Sequence, residues 1–228
     1  MDGNDRAWKP RGRYLALEAG WLAGVSGDKI GQWARRGYIR SSWSDSSPRI
    51  YSFQDVAEAI VVHDLLDRRA THDDVRRTIQ NLRTKYGDWP LSAGELWTTS
   101  MNVSGAKGGR ESIVLKEGGL PLDISRGTGG QRFIEPTLGD LVRVQGLLHR
   151  GGWAIRLVPE VQSIEVDPDR LSGRPTIKGT RLSAERVADL ARNPEGLRVL
   201  RTDYGLQRRQ IADAVRWMDA VQELEVAA

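Results

Sequence analysis

Between residues 6 and 49 the chain gathers nine basic side chains, Arg6, Lys9, Arg11, Arg13, Lys29, Arg35, Arg36, Arg40 and Arg49, against three acidic ones, Glu18, Asp28 and Asp45, a local charge of +6. Cations clustered in this way suit a polyanion, because phosphate contacts supply most of a protein's affinity for nucleic acid. If Gly27 to Arg36 is helical, Asp28, Lys29, Gln32, Arg35 and Arg36 fall on or near one side of it, since spacings of three, four and seven share a face. Lys29 and Gln32 then suit base edges, while Arg35, Arg36, Arg40, Arg49 and Arg13 suit phosphates. For any one arginine taken alone, a solvated surface charge is an equal reading, and a helix pair that packs without touching DNA is the bland reading of the group. Trp33 is expected in the core.

A second group of cations, Arg174, Lys178 and Arg181, sits in the run from Ser172-Gly173-Arg174-Pro175-Thr176 to Gly179-Thr180-Arg181-Leu182. Guanidinium groups held by such a Gly/Pro-shaped loop pair bidentately with carboxylates. Arg181 has a structural alternative, tying the loop to the module's own helices through a buried ion pair or carbonyl contacts.

Catalytic and metal-binding patterns fail by comparison. The chain has no cysteine, which excludes disulfides, a thiol nucleophile and thiolate metal sites, and the three histidines, His63, His72 and His149, lack ligand spacing. Gly105-Ala106-Lys107-Gly108-Gly109 and Gly127-Thr128-Gly129-Gly130 lack the Gly-Lys-Ser/Thr ending of a phosphate loop. Asp167 and Asp169 flank Pro168 and read as a turn. The expectation is a binding protein, not an enzyme, with no cofactor or metal.

The whole sequence of 228 residues is 39% apolar and 28% charged, ordinary for a folded chain of one or two domains, and its net charge is +4. The basic excess therefore belongs to one end; residues 160–228, with eleven basic and twelve acidic residues, balance to −1. No apolar run approaches a membrane span and the first 13 residues carry no secretory pattern, so a cytoplasmic location without membrane contact is expected.

Periodicity divides the chain into a basic arm (1–13), a helical zone (14–86), a zone (87–162) holding more than half of the 25 glycines, and a second helical zone (163–228). Leu15 to Ala23 and Gly27 to Arg36 read as two helices joined by Gly24-Val25-Ser26, with Ser26 a cap and Gly37 a stop. Tyr38-Ile39-Arg40 and Arg49-Ile50-Tyr51 read as strands of a hairpin wing around the polar loop 41–48. A helix from Phe53 to about Arg68 is capped by Ser52 and Asp55 and stripes Phe53, Val56, Ala57, Ile60, Val61 and Leu65; another, from Thr71 to about Lys85, is capped by Thr71 and Asp74 and buries Val75, Ile79 and Leu82. Glu111–Lys116 and Leu120–Ile124 form a hairpin, and Leu141–Leu148 with Trp153–Val158 another, although 138–148 also fits a helix. A short hairpin and helices over 184–192, 195–202 and about 207–224 close the chain, the last striped by Ile211, Val215, Met218, Val221 and Leu224. The expected class is mainly α with small β elements (α+β): an N-terminal winged helix-turn-helix, a central β-hairpin region, and a C-terminal trihelical, helix-turn-helix-like bundle.

Gly24-Val25-Ser26, Arg35-Arg36-Gly37-Tyr38-Ile39, the polar wing and Tyr51-Ser52-Phe53-Gln54-Asp55-Val56 resemble the winged helix-turn-helix of MerR-like DNA-binding proteins. Asp88-Trp89-Pro90 and the glycine-rich stretch stand where MerR-type activators continue into a long dimerising helix. Val166-Asp167-Pro168, the run 172–182, Tyr204 and Gln210 to Trp217 resemble the domain of unknown function 433, associated with type II antitoxins of the VapB kind. The two resemblances together imply an antitoxin that binds operator DNA through 14–86, pairs into a homodimer through the central zone as a palindromic operator requires, and silences a PIN-like ribonuclease toxin through Arg174, Lys178 and Arg181. The alternative is a ligand-responsive regulator without a toxin partner, with Trp89, Trp97 and Trp153 walling a central pocket; core packing is the plainer role for those tryptophans.

Overall fold

In the computed structural model of the chain, the described residues are 9–93, 96–99, 112–117, 120–123, 125, 131–132, 142–143, 158 and 160–226. They are mainly helical with small antiparallel sheets. Helices α1 (Ala16–Ala23) and α2 (Gly27–Arg35) are joined by residues 24–26, and Ser26 Oγ accepts the Lys29 amide at 3.3 Å. The two helices meet closely at Gly20, where a Cβ would stand 2.5 Å from the Val25 carbonyl oxygen. Helix α3 (Phe53–Asp67) is the centre of the N-terminal half. It buries Val56, Ala57, Ile60, Val61 and Leu65, and beyond that stripe also Ala59, Val62, Asp55 and Glu58. Helix α4 (His72–Tyr86) carries its Thr71/Asp74 cap and buries Val75, Ile79 and Leu82. A single turn, α5 (Pro90–Ala93), follows; the Leu91 amide donates to Glu58 Oε2 at 3.1 Å.

The expected pair of wing strands is absent. Tyr38 and Ile39 are adjacent and both buried, 2% and 4% exposed, so the chain wraps round the core where a pleated strand would alternate its side chains. The loop is closed by one bridge, Ser44 to Ile50, and Tyr51 pairs with Tyr14. What shapes the loop is Asp55. Its carboxylate, fully buried, accepts from the Ser42 amide (2.8 Å), the Ser42 hydroxyl (2.6 Å), the Ser52 amide (2.8 Å) and Trp89 Nε1 (2.8 Å). One side chain thus caps α3, folds the loop and anchors the start of the glycine-rich zone.

The central sheet has the order β4-β3-β2-β1-β5, all neighbours antiparallel, with β1 (Leu96–Thr99), β2 (Ser112–Glu117), β3 (Leu120–Asp123), β4 (Gln131–Arg132) and β5 (Val142–Arg143). The β2–β3 hairpin matches expectation, with Glu117 opposite Leu120. Strand β1, which the sequence reading passed over, sits beside the hairpin and pairs on its other edge with β5. The rest of the second expected hairpin, 144–157, lies outside the described residues. Leu96, Ile113 and Leu115 join the same core as α3 and α4.

In the C-terminal part, β6 (Ile164–Glu165) and β7 (Thr176–Ile177) pair, and α6 (Ala184–Ala191), α7 (Pro194–Thr202) and α8 (Arg208–Val226) follow, α6 packing on α8. Along α8 the deepest residues are Ala214 and Trp217 together with Ile211 and Val221, whereas Val215, Met218 and Leu224 are half-buried. Buried Asp213 holds the segment entering β6 by accepting the Gln162 and Ser163 amides at 3.2 and 2.9 Å.

The N-terminal and C-terminal parts meet at Tyr14. Its backbone exchanges two hydrogen bonds with Tyr51 (3.0 and 2.9 Å), and its hydroxyl, whose pKa burial pushes far above the usual phenol range, donates to the Gly173 carbonyl at 3.0 Å. The neighbouring Arg13 amide donates to the Ser172 carbonyl at 2.9 Å. Gly173, at φ +91°, leaves no room: a Cβ there would lie 1.8 Å from Tyr14 Oη. Residues 9–13 are also pinned. The Arg11 amide donates to Gln54 Oε1 (3.2 Å), Gln54 Nε2 to the Lys9 carbonyl (2.9 Å), and the Arg11 guanidinium pairs with Asp169 at 3.1 Å.

Three variants test these constraints in urea titrations. Gly173→Ala combines a left-handed backbone with a steric overlap and is expected to lose about 3 kcal/mol, whereas Gly179→Ala, also left-handed but in open space, loses about 1 kcal/mol. Asp55→Ala strands several buried donors and is expected to lose about 3 kcal/mol, with altered Trp89 fluorescence.

Candidate nucleic-acid interface

Helix α2 separates its side chains cleanly: Ile30 and Trp33 are buried, while Asp28, Lys29, Gln32, Arg35 and Arg36 are exposed. Among the described residues, Lys29, Gln32, Arg35 and Arg36 enter no ion pair and no side-chain hydrogen bond, so one helix face presents three uncommitted cations and an amide. That combination suits phosphate oxygens and base edges.

The loop after α2 extends this face, with its cations partly engaged. Arg40 pairs with Asp88, and Arg49 lies 3.7 Å from Asp45 and donates to Ser41 Oγ at 3.4 Å. Asp45 also accepts from the Ser41 hydroxyl. Arg13 lies over the ring of Trp43, its guanidinium carbon 4.5 Å from the centroid, and Trp43 Nε1 donates to the Gly12 carbonyl at 2.7 Å. This cation–π contact holds an exposed arginine and an exposed tryptophan together on the loop. Of the remaining arm cations, Arg11 is directed to Asp169 and Arg6 lies outside the described residues.

Between α2 and the loop runs an open cleft of about 860 Å³, lined by apolar Leu17, Trp21 and Val25, by Arg35 and Arg49 together with Asp28 and Asp45, and by Tyr51. Tyr51 is 1% exposed, and its hydroxyl, like Trp21 Nε1, is buried without a hydrogen-bond partner. Burial raises the Tyr51 pKa, and Asp55 and Asp45 add to the rise while Arg49 and Arg35 oppose it, which puts two cations and two carboxylates within electrostatic reach of the hydroxyl.

On the C-terminal part, Arg174, Lys178 and Arg181 are all exposed, and among the described residues none is engaged in an ion pair or side-chain hydrogen bond. The buried ion pair considered for Arg181 is therefore not formed. A different residue fixes the loop: Glu165 pairs with Arg170 and accepts the Gly179 amide at 3.0 Å. Thr180 Oγ1 closes the turn by donating to the Ile177 carbonyl at 2.9 Å. The three cations stand on a braced loop that uses none of them for its own support. Asp167 accepts the Asp169 amide at 3.0 Å, the turn expected around Pro168.

Other candidates have structural partners. Trp89 is spent on Asp55; the side chains of Trp97 and Trp153, the other pocket walls considered, lie outside the described residues, as does His149. His63 Nδ1 is 2.9 Å from the Ala23 carbonyl oxygen, and His72 stacks on Tyr38 with centroids 5.7 Å apart. Among the described residues no group of three or more His, Asp or Glu is placed to hold a metal, and no helix is long and apolar enough to cross a membrane. Sequence reasoning gives Asp55 only as a helix cap and Tyr51 only as a strand residue, and passes over Glu165; their wider roles come from residues distant in sequence, Ser42 and Trp89 for Asp55, Tyr14 for Tyr51 and Gly179 for Glu165.

Known proteins show likeness to the fold and to one part of the chain. No curated protein matches it. The crystal structure of Rv2018 from Mycobacterium tuberculosis is similar over 89% of this chain and 96% of that chain, with a TM-score of 0.52 at 18% identity, a likeness of fold. The family described as protein of unknown function (DUF433) matches residues 164–217, so the segment from β6 into α8 is a DUF433 domain.

Proposed function

We propose that this chain is the antitoxin of a type II toxin–antitoxin pair: the helix-turn-helix within 14–86, with the loop 40–50 in place of a stranded wing, binds operator DNA and represses its own operon, and the C-terminal part captures a PIN-like ribonuclease toxin. The observation that carries this reading is the presence of two separate sets of uncommitted cations, Lys29, Arg35 and Arg36 on α2 and Arg174, Lys178 and Arg181 on the braced loop, held on one frame through Tyr14 and Gly173. Under it, α2 is the recognition helix, Lys29 and Gln32 face base edges, and Arg13, Arg35, Arg36, Arg40 and Arg49 hold phosphates. The three loop cations neutralise the acidic metal-binding cleft of the nuclease and block substrate entry. Pairing of two chains through the central zone places two α2 helices on a palindromic site, and a toxin that bridges chains raises operator affinity by multivalency.

Electrophoretic mobility shifts with the region upstream of the chain's own gene test the first half. Arg35→Ala with Arg36→Ala is expected to weaken binding about tenfold or more and to flatten its salt dependence; unchanged binding rejects α2 as the recognition helix. Co-expression with the adjacent open reading frame tests the second: the wild type co-purifies with its product and relieves its toxicity, and Arg174→Ala/Lys178→Ala/Arg181→Ala loses both while melting normally.

A further inference from the structure

The cleft between α2 and the loop 40–50 has features that phosphate binding does not use. One wall is apolar, made by Leu17, Trp21 and Val25, with Leu17 44% exposed at its mouth. The lining also carries two guanidinium groups, Arg35 and Arg49, and two carboxylates, Asp28 and Asp45; Asp45 lies 3.7 Å from Arg49 and is the group an incoming acid would displace. The base carries a buried phenol with a proton to donate and no acceptor. Its volume of about 860 Å³ falls in the range of small-molecule sites, which pair apolar walls with a few convergent polar groups. A duplex backbone laid over this face fills neither the apolar wall nor the base.

We propose that this cleft binds a small organic anion with an aromatic or branched apolar body: the acid group sits between Arg35 and Arg49 and accepts from the Tyr51 hydroxyl, and the body lies on Leu17, Trp21 and Val25. An anionic oxygen gives Tyr51 the acceptor it lacks, and two cations offset the desolvation of the acid. A phenol is protonated at neutral pH in any case, and burial raises its pKa further, so the donor is present there. If α2 also binds DNA, a point that rests on the function proposed above, the ligand takes Arg35 and Arg49 out of that interface, and ligand and operator exclude each other.

Anilinonaphthalene sulfonate, an aromatic sulfonate, is the probe. Titrated into the full chain without DNA, it is expected to saturate at one site per chain with enhanced fluorescence. Tyr51→Phe, which keeps the ring, should weaken binding about tenfold; Arg49→Gln should do likewise, and Leu17→Asp, on an exposed position, should abolish it while leaving the thermal melt unchanged. Absence of a saturable site, or equal binding by all three variants, overturns the ligand site, and the two surface variants decide the matter should Tyr51→Phe fold poorly. Addition of the upstream duplex should then release the dye; a dye that stays on the DNA-bound chain overturns the exclusion. Failure of the DNA reading alone, seen as Arg35→Ala/Arg36→Ala binding the duplex normally, leaves the dye titration standing as the test of the ligand site.

Discussion

Two tyrosines paired across a single bridge stand where the N-terminal part meets the turn at Gly173. Tyr14 and Tyr51 exchange backbone hydrogen bonds, and their hydroxyls serve opposite ends of the structure: Tyr14 donates into the turn of the DUF433 domain, and Tyr51 forms the base of the cleft beside α2. The contact is small, yet both residues are almost fully buried, so its hydrogen bonds are shielded from water and leaving one unmade is costly. Gly173 is the steric condition for the arrangement, since no side chain fits beneath the Tyr14 ring. The Gly-Arg-Pro run therefore has a structural duty independent of any partner, and its arginine is left free for one.

This geometry places the two cation sets in a fixed relation. Arg13 is bonded through its amide to Ser172 and through its side chain to Trp43, so it belongs to the turn of one part and to the surface of the other. Under the proposed function, the few residues from Gly12 to Tyr14 therefore lie beside both the DNA-facing loop and the turn that leads into the loop at 174–181.

Local rules make the helices legible: the Ser26, Ser52, Thr71 and Ser183 caps, the glycine after α1, and the 3.6-residue stripe of α4 all act within one or two turns. The cation faces were legible for the same reason, because exposure on α2 follows from its own period. The wing was misread because two adjacent apolar residues, Tyr38 and Ile39, look like strand but are both drawn inward by the α3–α4 core. Strand β1 was passed over because four residues of Leu-Trp-Thr-Thr carry little pattern until β2 and β5 flank them. The cleft was illegible altogether: its lining comes from α1, α2, the loop, Tyr51 and Leu224 near the chain's far end, a grouping that only tertiary structure creates.

Asp45 and Asp88 give the basic face a threshold. Each carboxylate occupies a guanidinium that a phosphate would otherwise claim, Asp45 on Arg49 and Asp88 on Arg40, and in doing so mimics the phosphate at close range. Exposed pairs of this kind are worth only about 0–1 kcal/mol each, so a polyanion that offers several phosphates at once can displace both decoys, while a lone inorganic anion gains little by replacing one. Under the proposed function, Arg40 and Arg49 are thereby biased toward charge density over charge, answering a chain of phosphates more readily than a single one.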